Sequence, residues 1–270
     1  MAKPKLALIP ATQGSKLYSV LPADGVGDFT FSRGSAATRI NKDGLIETVA
    51  SGVSRLNYPL IDGVVNGCPS HLLEPQRTNL FKYSEDFSQW WSKVNVSVST
   101  NQIISPNGTL NADELTETTG SGVHLLANPN ISTNGSVTGS IYAKYLSRYL
   151  RLTLHDGNNE NLWYSVIYDL ENGVIYDELA KTVTVFSCEI KQMPNGYYRC
   201  IITADLGAST QTILYIQTSN GASIALGDDR GRGQYQGDGT SGIYIWGAQL
   251  EQGSYPTSYI PNYGTSAGIT

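Results

Sequence analysis

Residues 149–178 read YLRLTLHDGNNENLWYSVIYDLENGVIYDE, and this stretch decides the fold because three strand signals follow one another along it. In the first signal, leucines alternate with Tyr149, Arg151, Thr153 and His155, so one face of the strand should lie in a core. Turn residues of the Asp-Gly and Asn-Gly type separate the three signals. The pattern therefore predicts antiparallel strands that fold back on one another.

Similar signals recur along residues 94–260 at the interval expected of a β-sandwich. Further examples are VNVSVST, GSIYAKYL, TVTVFSCEI, YYRCIITAD, QTILYIQTS and GIYIWGAQLE. We predict an all-β fold, namely a two-sheet antiparallel jelly-roll sandwich with an irregular β-rich N-terminal segment. The expected organisation is an anchoring arm and small β segment over residues 1–80, the jelly roll over residues 81–262 and a tail over residues 263–270.

The composition suits short strands joined by tight turns. Charged residues make up 15% of the chain, against about 25% in an average domain. The chain holds 28 glycines and 17 tyrosines, whereas a helical protein would draw on Ala, Leu, Glu and Lys. The net charge is −5, and lysines and arginines are scattered rather than gathered in a stripe, so we expect no nucleic-acid partner.

The sequence also bears on where the protein is assembled. It shows neither a stretch of membrane-span length nor a signal-peptide core, so we expect no membrane insertion and no export. Three cysteines are an odd number and too few for a disulfide framework, which favours a reducing cytoplasm. Virion components fit a polar, tyrosine-rich surface without an export signal, because they assemble inside a cell and work outside it.

Two local patterns predict turns in the first third of the chain. Lys42-Asp43-Gly44 predicts a hairpin in which Gly44 takes a positive φ. The stretch YSEDFSQWW, residues 83–91, favours a short helix or a 3₁₀ turn that Ser84 would cap.

Two cysteines fall in neighbouring strands. If the hairpin between these strands pivots on Pro194, Cys188 and Cys200 face each other on the core side. We expect two buried free thiols that act as small apolar residues. A cross-strand disulfide or a metal site is the alternative, although no histidine lies at ligand spacing.

Residues 243–248 read IYIWGA and predict a central strand, because both of its faces are apolar. Simple alternation places Trp246 and Ala248 on one face and Ile245 on the other. The outer face should be covered by the N-terminal segment, by a neighbouring subunit or by the proline-containing strap at residues 255–263.

A glycan-binding surface needs aromatic rings and planar polar side chains, because a pyranose has an apolar face and a rim of hydroxyls. We predict such a surface on the polar face of the first strand, provided that two neighbouring strands turn their aromatic residues outward. The alternative is that Trp163 and Tyr215 pack in the core and that Arg151 pairs with an acid. The six candidates are Tyr149, Arg151, His155, Trp163, Tyr215 and Gln217.

The loop at residues 226–242 reads LGDDRGRGQYQGDGTSG and is rich in glycine and aspartate. Ca²⁺ takes several carboxylate and carbonyl oxygens, so Asp228, Asp229 and Asp238 are candidate ligands of a structural Ca²⁺. The alternative is a loop with solvated acids that shapes subunit contacts. No cofactor is expected to be required.

We expect no enzyme. The sequence has three histidines and shows neither a nucleophile elbow nor a zincin helix. Glycoside hydrolysis needs two carboxylates across a cleft. The acids near the first three strands fall at turns and strand ends, where acids are common, and they are Asp156, Asp169, Asp177 and Glu178.

Four parts of the chain resemble a recurring module of tailed-phage virion proteins. They are FSRGSAATRINKDGLIETVASGVSRLNYP (residues 31–59), LLEPQRTNLFKYSEDFSQWW (72–91), the pair YDLENGVI and NGYYRCIIT (168–175 and 195–203), and YQGDGTSGIYIWGAQLEQGSYPTSYIPN (235–262). The family comprises tail, head-fibre and appendage proteins with a carbohydrate-binding-module-like jelly roll.

The resemblance implies a non-catalytic jelly roll on a virus particle, often within a fibre or a homotrimer, with other virion proteins as partners. It implies adhesion to a host-surface glycan, or decoration of the capsid or tail, after assembly in the host cytoplasm. The alternatives are a polysaccharide depolymerase and a purely architectural subunit-contact module. Residues 1–25 would then be an anchoring arm that orders on its partner.

Overall fold

The computed structural model describes residues 11–13, 16–18 and 32–264 of the chain. Within these residues the regular structure is β, apart from two 3₁₀ turns at Pro194–Gly196 and Ile224–Leu226. No helix in the described ranges has the length and apolar character that crossing a membrane requires. The strands are β1 (Ala11–Gln13), β2 (Lys16–Tyr18), β3 (Ala37–Ile40), β4 (Ile46–Val49), β5 (Leu56–Asn57), β6 (Leu60–Ile61), β7 (Val64–Val65), β8 (Ser70–His71), β9 (Ser92–Val94), β10 (Val96–Ile104), β11 (Leu110–Glu117), β12 (Ser121–Gly122), β13 (Leu125–Ala127), β14 (Ile131–Tyr145), β15 (Tyr149–Asp156), β16 (Trp163–Asp169), β17 (Val174–Lys181), β18 (Thr184–Gln192), β19 (Tyr198–Ser219), β20 (Tyr235–Gln236) and β21 (Gly242–Gln252).

The N-terminal arm that the sequence predicts lies mostly outside the described residues. Only β1 and β2 of that arm are described, and they pair antiparallel. Between residues 32 and 80 the chain forms short two-stranded pairs, β3 with β4, β5 with β8, and β6 with β7. These pairs match the expected irregular, β-rich N-terminal segment.

The long strand β19 passes through two sheets and organises the fold. Its first part, residues 198–209, pairs with β14 and β18, and its second part, residues 212–219, pairs with β15 and β13. Sheet I therefore has the order β10-β11-β21-β14-β19-β18, and sheet II has the order β9-β13-β19-β15-β16-β17. All of these pairings are antiparallel. The predicted all-β, two-sheet antiparallel jelly-roll sandwich is confirmed.

An apolar core fills the space between the two sheets. The leucines of β15 are fully buried in it, as their alternation predicts. Gly139 of sheet I lies so close to sheet II that an added Cβ would be 3.0 Å from Leu214 Cδ1. The Tyr168 hydroxyl of β16 donates to the Ile201 carbonyl of β19 at 2.6 Å, across the core. Burial of apolar side chains from both sheets therefore holds the sandwich together.

Strand β21 lies between β11 and β14 in sheet I, as its two apolar faces predict. Gly247 has a φ of +64°, and the register against β14 shifts beside it. Ile245 and Ala248 consequently both lie in the core, whereas Trp246 belongs to a separate buried cluster on the outer face. The prediction that Trp246 and Ala248 share a face is wrong, because a bulge reverses the alternation.

Two segments cover the outer face of sheet I. The strap (residues 255–263) places the Tyr259 ring 4.6 Å from the Trp246 ring. The hairpin β3–β4 adds Ile46 to the same buried cluster, and its turn has the predicted positive φ at Gly44, +83°. Both the strap and the N-terminal segment thus cover the face, as two of the three sequence alternatives proposed.

Residues 83–91 form turns and bends, and contain neither the short helix nor the 3₁₀ turn that the sequence favoured. Ser84 Oγ lies 2.8 Å from the Tyr259 hydroxyl and does not cap a helix. Trp90 has a φ of +57°, a left-handed conformation that a right-handed helix does not contain. The segment is held by its contacts with the strap and not by helical propensity.

The β18–β19 hairpin centres on Asn195, whose φ of +62° lies inside the 3₁₀ turn. Cys188 therefore lies opposite Ile202, and Cys200 lies opposite Ile190. The predicted direct facing of the two cysteines is wrong by two residues, since the turn does not pivot on the proline. Both thiols are free. Cys200 is buried, as predicted, whereas Cys188 is only half-buried and its Sγ donates to Glu178 Oε2 at 3.0 Å.

Candidate functional site

The polar face of β15 and its neighbours form one surface, on the outer side of sheet II. Strand pairing places His155 beside Trp163 of β16. On the other side of β15 it places Arg151 beside Gln217 of β19. Apart from Tyr149, which is partly exposed, no glycan-binding candidate has more than 5% of its surface exposed. The structure thus gathers on this face all six, namely Tyr149, Arg151, His155, Trp163, Tyr215 and Gln217.

A loop of the same chain lies on this surface, and we call residues 224–237 the cover loop. Trp163 Nε1 donates to the Asp229 carbonyl at 2.8 Å. Arg151 Nη2 donates to the Gly231 carbonyl at 2.6 Å. The aromatic side chains do turn away from the core, yet they form no exposed platform, because the segment predicted to be a calcium loop covers them.

Burial changes the ionisation of this face. It lowers the pKa of the Arg151 guanidinium to about 10, while Asp228 and Asp177 act in the opposite direction. It also lowers the pKa of His155 to about 4. Both ring nitrogens of His155 are buried without a hydrogen-bond partner among the described residues. Arg151 bonds through Nε to Ser165 Oγ at 2.9 Å rather than pairing with an acid.

The calcium candidates are dispersed, and their side chains have other partners. Asp228 Oδ2 lies 2.6 Å from Arg232 Nη2, and Asp238 Oδ2 lies 3.0 Å from Arg148 Nη2. Asp229 meets the covered face through its main-chain carbonyl. Among the described residues, no group of three or more His, Cys, Asp or Glu side chains is placed to hold a metal. The arrangement therefore does not fit the predicted calcium site.

A second polar surface opens beside the strap, and we call it the acidic cleft. It is a cavity of about 400 Å³ between residues 83–88, strands β10 and β11, and the end of the strap. Tyr83 and Tyr263 contribute aromatic rings to it. Its carboxylates and amides are Glu85, Asp86, Asp113, Asn101, Asn111 and Asn262.

Glu85 joins the strap to the strands at this cleft. The hydroxyls of Tyr259 and Tyr263 donate to Oε1 at 2.9 and 3.0 Å, and Asn111 Nδ2 donates to Oε2 at 2.9 Å. Burial raises the pKa of Glu85, while the tyrosine hydrogen bonds oppose that rise. Asn111 Oδ1 is buried without a partner in the described part of the chain, so an acceptor remains available.

Asp113 holds two rims of the cleft in place. Its Oδ2 accepts from the Phe87 amide at 2.9 Å, and its Oδ1 accepts from the Asn101 amide at 3.1 Å. Asn101 has a φ of +56°, a left-handed conformation that is strained for a residue other than glycine. Burial raises the pKa of Asp113 to about 6.

Sequence reasoning missed the acidic cleft because its parts come from segments interpreted in other ways. Glu85 falls in the stretch predicted to be a helix, and Tyr263 falls in the predicted tail. The sequence did hold one signal of this cleft, namely Asp113. It lies two residues from Leu115 on β11, so both side chains point to the core-facing side of the strand, where an acid is unusual.

No family model matches the chain, and no curated protein matches it. Among solved structures, the chain is similar to a CBM22 xylan-binding domain from Paenibacillus barcinonensis, with 14% identity and a TM-score of 0.34 over 64% of this chain and 90% of that domain. It is also similar to the enzymatically active domain of tailspike protein 4 of bacteriophage CBA120, with 11% identity and a TM-score of 0.34 over 64% of this chain and 21% of that one. A likeness of this size carries no argument about function.

Proposed function

We propose that the chain is a non-catalytic structural component of a tailed-phage virion that displays a saccharide-binding β-sandwich. It assembles in the host cytoplasm with other virion proteins, as a homotrimer, and its ligand is a host-surface glycan. The observation that carries the binding role is the acidic cleft, whose lining suits sugar hydroxyls. The sequence resemblance supplies the virion context.

The segments that carry the resemblance pack against one another. Asn79 Nδ2 donates to the Ile260 carbonyl of the strap at 2.9 Å. Arg55 Nη1 donates to Ser258 Oγ at 2.8 Å. Three of the four resembling parts thus meet on sheet I, although they are far apart in the sequence. Their packing supports the view that they belong to one module.

The acidic cleft combines the groups that recognise a saccharide. Carboxylates accept hydrogen bonds from sugar hydroxyls, and amides both donate and accept them. The apolar face of a pyranose stacks on an aromatic ring, and Tyr263 is 69% exposed beside the cleft. Its hydroxyl bonds to Glu85, which fixes the ring. A volume of about 400 Å³ lies within the range of small-ligand sites.

The carboxylates of the cleft favour binding over catalysis. A glycosidase needs one carboxyl that gives its proton to the leaving group and a second that acts as nucleophile or base. Both oxygens of Asp113 accept main-chain N–H groups, and Glu85 accepts three side-chain donors. These bonds commit the two groups to holding the cleft together.

A glycan array probed with the purified chain, followed by calorimetry on the strongest ligand, tests the proposal. Tyr263→Ala should raise the Kd about tenfold, since it removes the exposed ring. Tyr255→Ala is the matched control, because Tyr255 lies on the same strap, is 48% exposed and does not line the cleft. Equal effects of the two variants on Kd would contradict the assignment.

Two other results would select the alternatives. Release of reducing ends from a bound polysaccharide, abolished by Asp113→Asn, would identify a depolymerase. A trimeric mass with no glycan bound on the array would identify an architectural module. We expect a trimer that binds glycan through the cleft and leaves it intact.

A further inference from the structure

Main-chain atoms in the middle of the cover loop make the hydrogen bonds to the polar side chains of sheet II, while Ile224 packs with Trp163 and Ile167 and the Arg232 guanidinium lies 5.4 Å from the centre of the Tyr215 ring. The Gly231 carbonyl accepts from Arg151 Nη2 at 2.6 Å and from Thr153 Oγ1 at 3.0 Å. The Gly233 amide donates to Gln217 Oε1 at 3.2 Å. The loop thus fills polar positions of the face with carbonyl and amide groups.

Gly231 also lies flat on an aromatic ring. A Cβ built on this residue would come within 3.0 Å of the Trp163 indole, so only a glycine allows this approach. A methylene group on an indole resembles the C–H face of a pyranose on the same ring. The Asp229 carbonyl, which accepts from Trp163 Nε1, occupies the place of a sugar oxygen.

Two polar side chains of the covered face, Arg151 and His155, are not fully compensated by the cover loop. Arg151 is 1% exposed, and no carboxylate of the described residues lies within ion-pair distance of it. A buried guanidinium without a direct ion pair is costly, because a neutral carbonyl only partly replaces its water and Asp228 and Asp177 act on it from beyond ion-pair distance. His155, also 1% exposed, has two ring nitrogens without partners in the described part of the chain. The face is therefore better suited to a charged ligand than to the loop.

We propose that the outer face of sheet II is a second saccharide site, for a sugar that carries a carboxylate, and that the cover loop is its removable occupant. A carboxylate in the place of the Gly231 carbonyl would form a charge-assisted, bidentate pair with Arg151. The sugar ring would take the place of the Gly231 methylene on Trp163. This site is separate from the acidic cleft, whose carboxylates would repel such a ligand.

The cover loop is fixed at its two ends, and its middle is held to the face by main-chain hydrogen bonds. At one end the Ile224 amide donates to Asp177 Oδ2 at 2.8 Å, and at the other the Tyr235 hydroxyl donates to Glu117 Oε2 at 2.6 Å. The middle carries an ion pair between Arg230 and Glu160 that is largely exposed, and such pairs contribute little. The middle can leave the face while both ends stay attached, provided that a ligand replaces the hydrogen bonds that the loop makes to Arg151, Thr153 and Gln217.

Gly231→Ala tests the proposal, because its Cβ would push the middle of the loop away from Trp163. Gly207→Ala is the matched control. Its φ of +68° equals the strain at Gly231, where φ is +67°, but nothing lies within 4 Å of its added Cβ. Circular dichroism and thermal melting establish that both variants are folded.

The ligands are an oligogalacturonate and its methyl-esterified form, in which each carboxylate is replaced by an uncharged methyl ester. By calorimetry, Gly231→Ala should bind the oligogalacturonate at least tenfold more tightly than the wild type or Gly207→Ala. The ester should show no such gain. Adding Arg151→Gln to Gly231→Ala should abolish the preference for the acid, and adding Tyr263→Ala should leave the gain intact.

A ¹⁹F-labelled tryptophan spectrum, with the Trp163 resonance assigned by Trp163→Phe, reports whether the loop has left the face. If the Trp163 resonance shifts in Gly231→Ala but the oligogalacturonate is not bound more tightly, the outer face of sheet II is not a site for an acidic sugar. An unchanged resonance overturns the removable cover. If Gly231→Ala does not fold, the wild type titrated with millimolar oligogalacturonate decides instead. A shift of the Trp163 resonance with the acid but not with the ester supports the proposal, and no shift overturns it.

Discussion

The two outer faces of the sandwich are both covered, but by different chemistry. On sheet I, the strap lays the Tyr259 ring on Trp246, and the rings of Tyr142 and Trp246 lie 5.3 Å apart. On sheet II, the cover loop lays main-chain groups on Arg151 and Gln217. The first cover excludes water from aromatic rings, whereas the second replaces water on polar groups with hydrogen bonds.

This difference predicts how firmly each cover is held. Removing the strap would expose apolar rings, and that cost scales with the area exposed. Removing the cover loop would let water reach the Arg151 guanidinium, which has no direct ion pair, and the His155 imidazole, whose ring nitrogens have no partner in the described part of the chain. We therefore regard the cover of sheet I as part of the core and the cover of sheet II as separable from it.

The largest change in the free energy of unfolding should come from replacing the tryptophan beneath each cover, Trp246 on sheet I and Trp163 on sheet II. Trp246→Ala should lower the free energy of unfolding by about 3–5 kcal/mol, as large-to-small changes in a packed cluster do. Trp163→Ala should lower it by only about 2 kcal/mol, because the glycine main chain above it can settle into the space. Urea unfolding of the two variants measures the difference, and equal losses would erase the distinction between the covers.

A carboxylate helps to hold each cover in place, and replacing the one at the strap should destabilise the protein more than replacing the one in the cover loop. Glu251 is fully buried and accepts from the Thr257 amide at 3.0 Å and from Gln249 Nε2 at 2.7 Å, so Glu251→Ala should cost about 3 kcal/mol. Asp228 pairs with Arg232 inside the loop, partly exposed, so Asp228→Ala should cost about 1 kcal/mol. The urea midpoints of the Glu251→Ala and Asp228→Ala variants measure the two losses of stability. A larger cost for Asp228→Ala would show that the cover loop is held as firmly as the strap.

The pH dependence separates the cleft on sheet I from the covered face on sheet II. Asp113 has a pKa of about 6, above its unfolded value, so the native state holds a proton there that the unfolded chain has released. Its contribution to stability therefore rises as the pH falls from 6 towards 4. His155 has a pKa of about 4, below its unfolded value, so over the same window it lowers stability as the pH falls.

The two groups should nearly cancel in the wild type. His155→Phe should make stability rise by about 1 kcal/mol per pH unit as the pH falls from 6 to 4, and Asp113→Asn should make it fall by a similar amount. Urea midpoints at pH 4, 5 and 6 measure both slopes. If the stability of both variants changed with pH in the same direction, the opposite contributions assigned to Asp113 and His155 would be wrong.

The smallest effect should come from the surface of the cover loop. The Arg230–Glu160 pair has side chains that are 42% and 57% exposed, so Arg230→Ala should change stability by less than about 0.5 kcal/mol. The Trp163 resonance should not move, because the main-chain bonds beneath remain. A loss above about 1 kcal/mol, or a shifted resonance, would mean that surface charge holds the loop.

Strand periodicity predicted the sandwich because side chains alternate between the two faces of a strand, and the leucines of β15 all lie in the core. Burial itself does not alternate in β15, where every residue after Tyr149 is buried. Strand periodicity failed in β21, where Gly247 looks like any small residue but forms a bulge. Only the left-handed φ of that glycine reveals the change of face, and a single sequence does not display it.

The two proposed sites were predictable to different degrees. The residues of the covered face lie on adjacent strands, so alternation brought Arg151 and Trp163 to one side. Their cover was not predictable, because main-chain atoms of the loop make its hydrogen bonds to Arg151, Thr153 and Gln217, and no side-chain pattern encodes these bonds. The acidic cleft depends on Glu85 and Asp113 meeting through tertiary packing, which local periodicity does not describe.

The single strand shared by both sheets has a consequence for how the protein is made. β19 pairs with β13, β14, β15 and β18, and all four precede it in the chain. During synthesis, sheets I and II therefore cannot be joined through β19 until residue 219 has left the ribosome. Until then, the strand edges that β19 will pair with remain unpaired. The strap, which follows β21 in the chain, then covers sheet I. A ribosome-stalled nascent chain that ends before Tyr198 should thus aggregate, whereas one that extends past the strap should not.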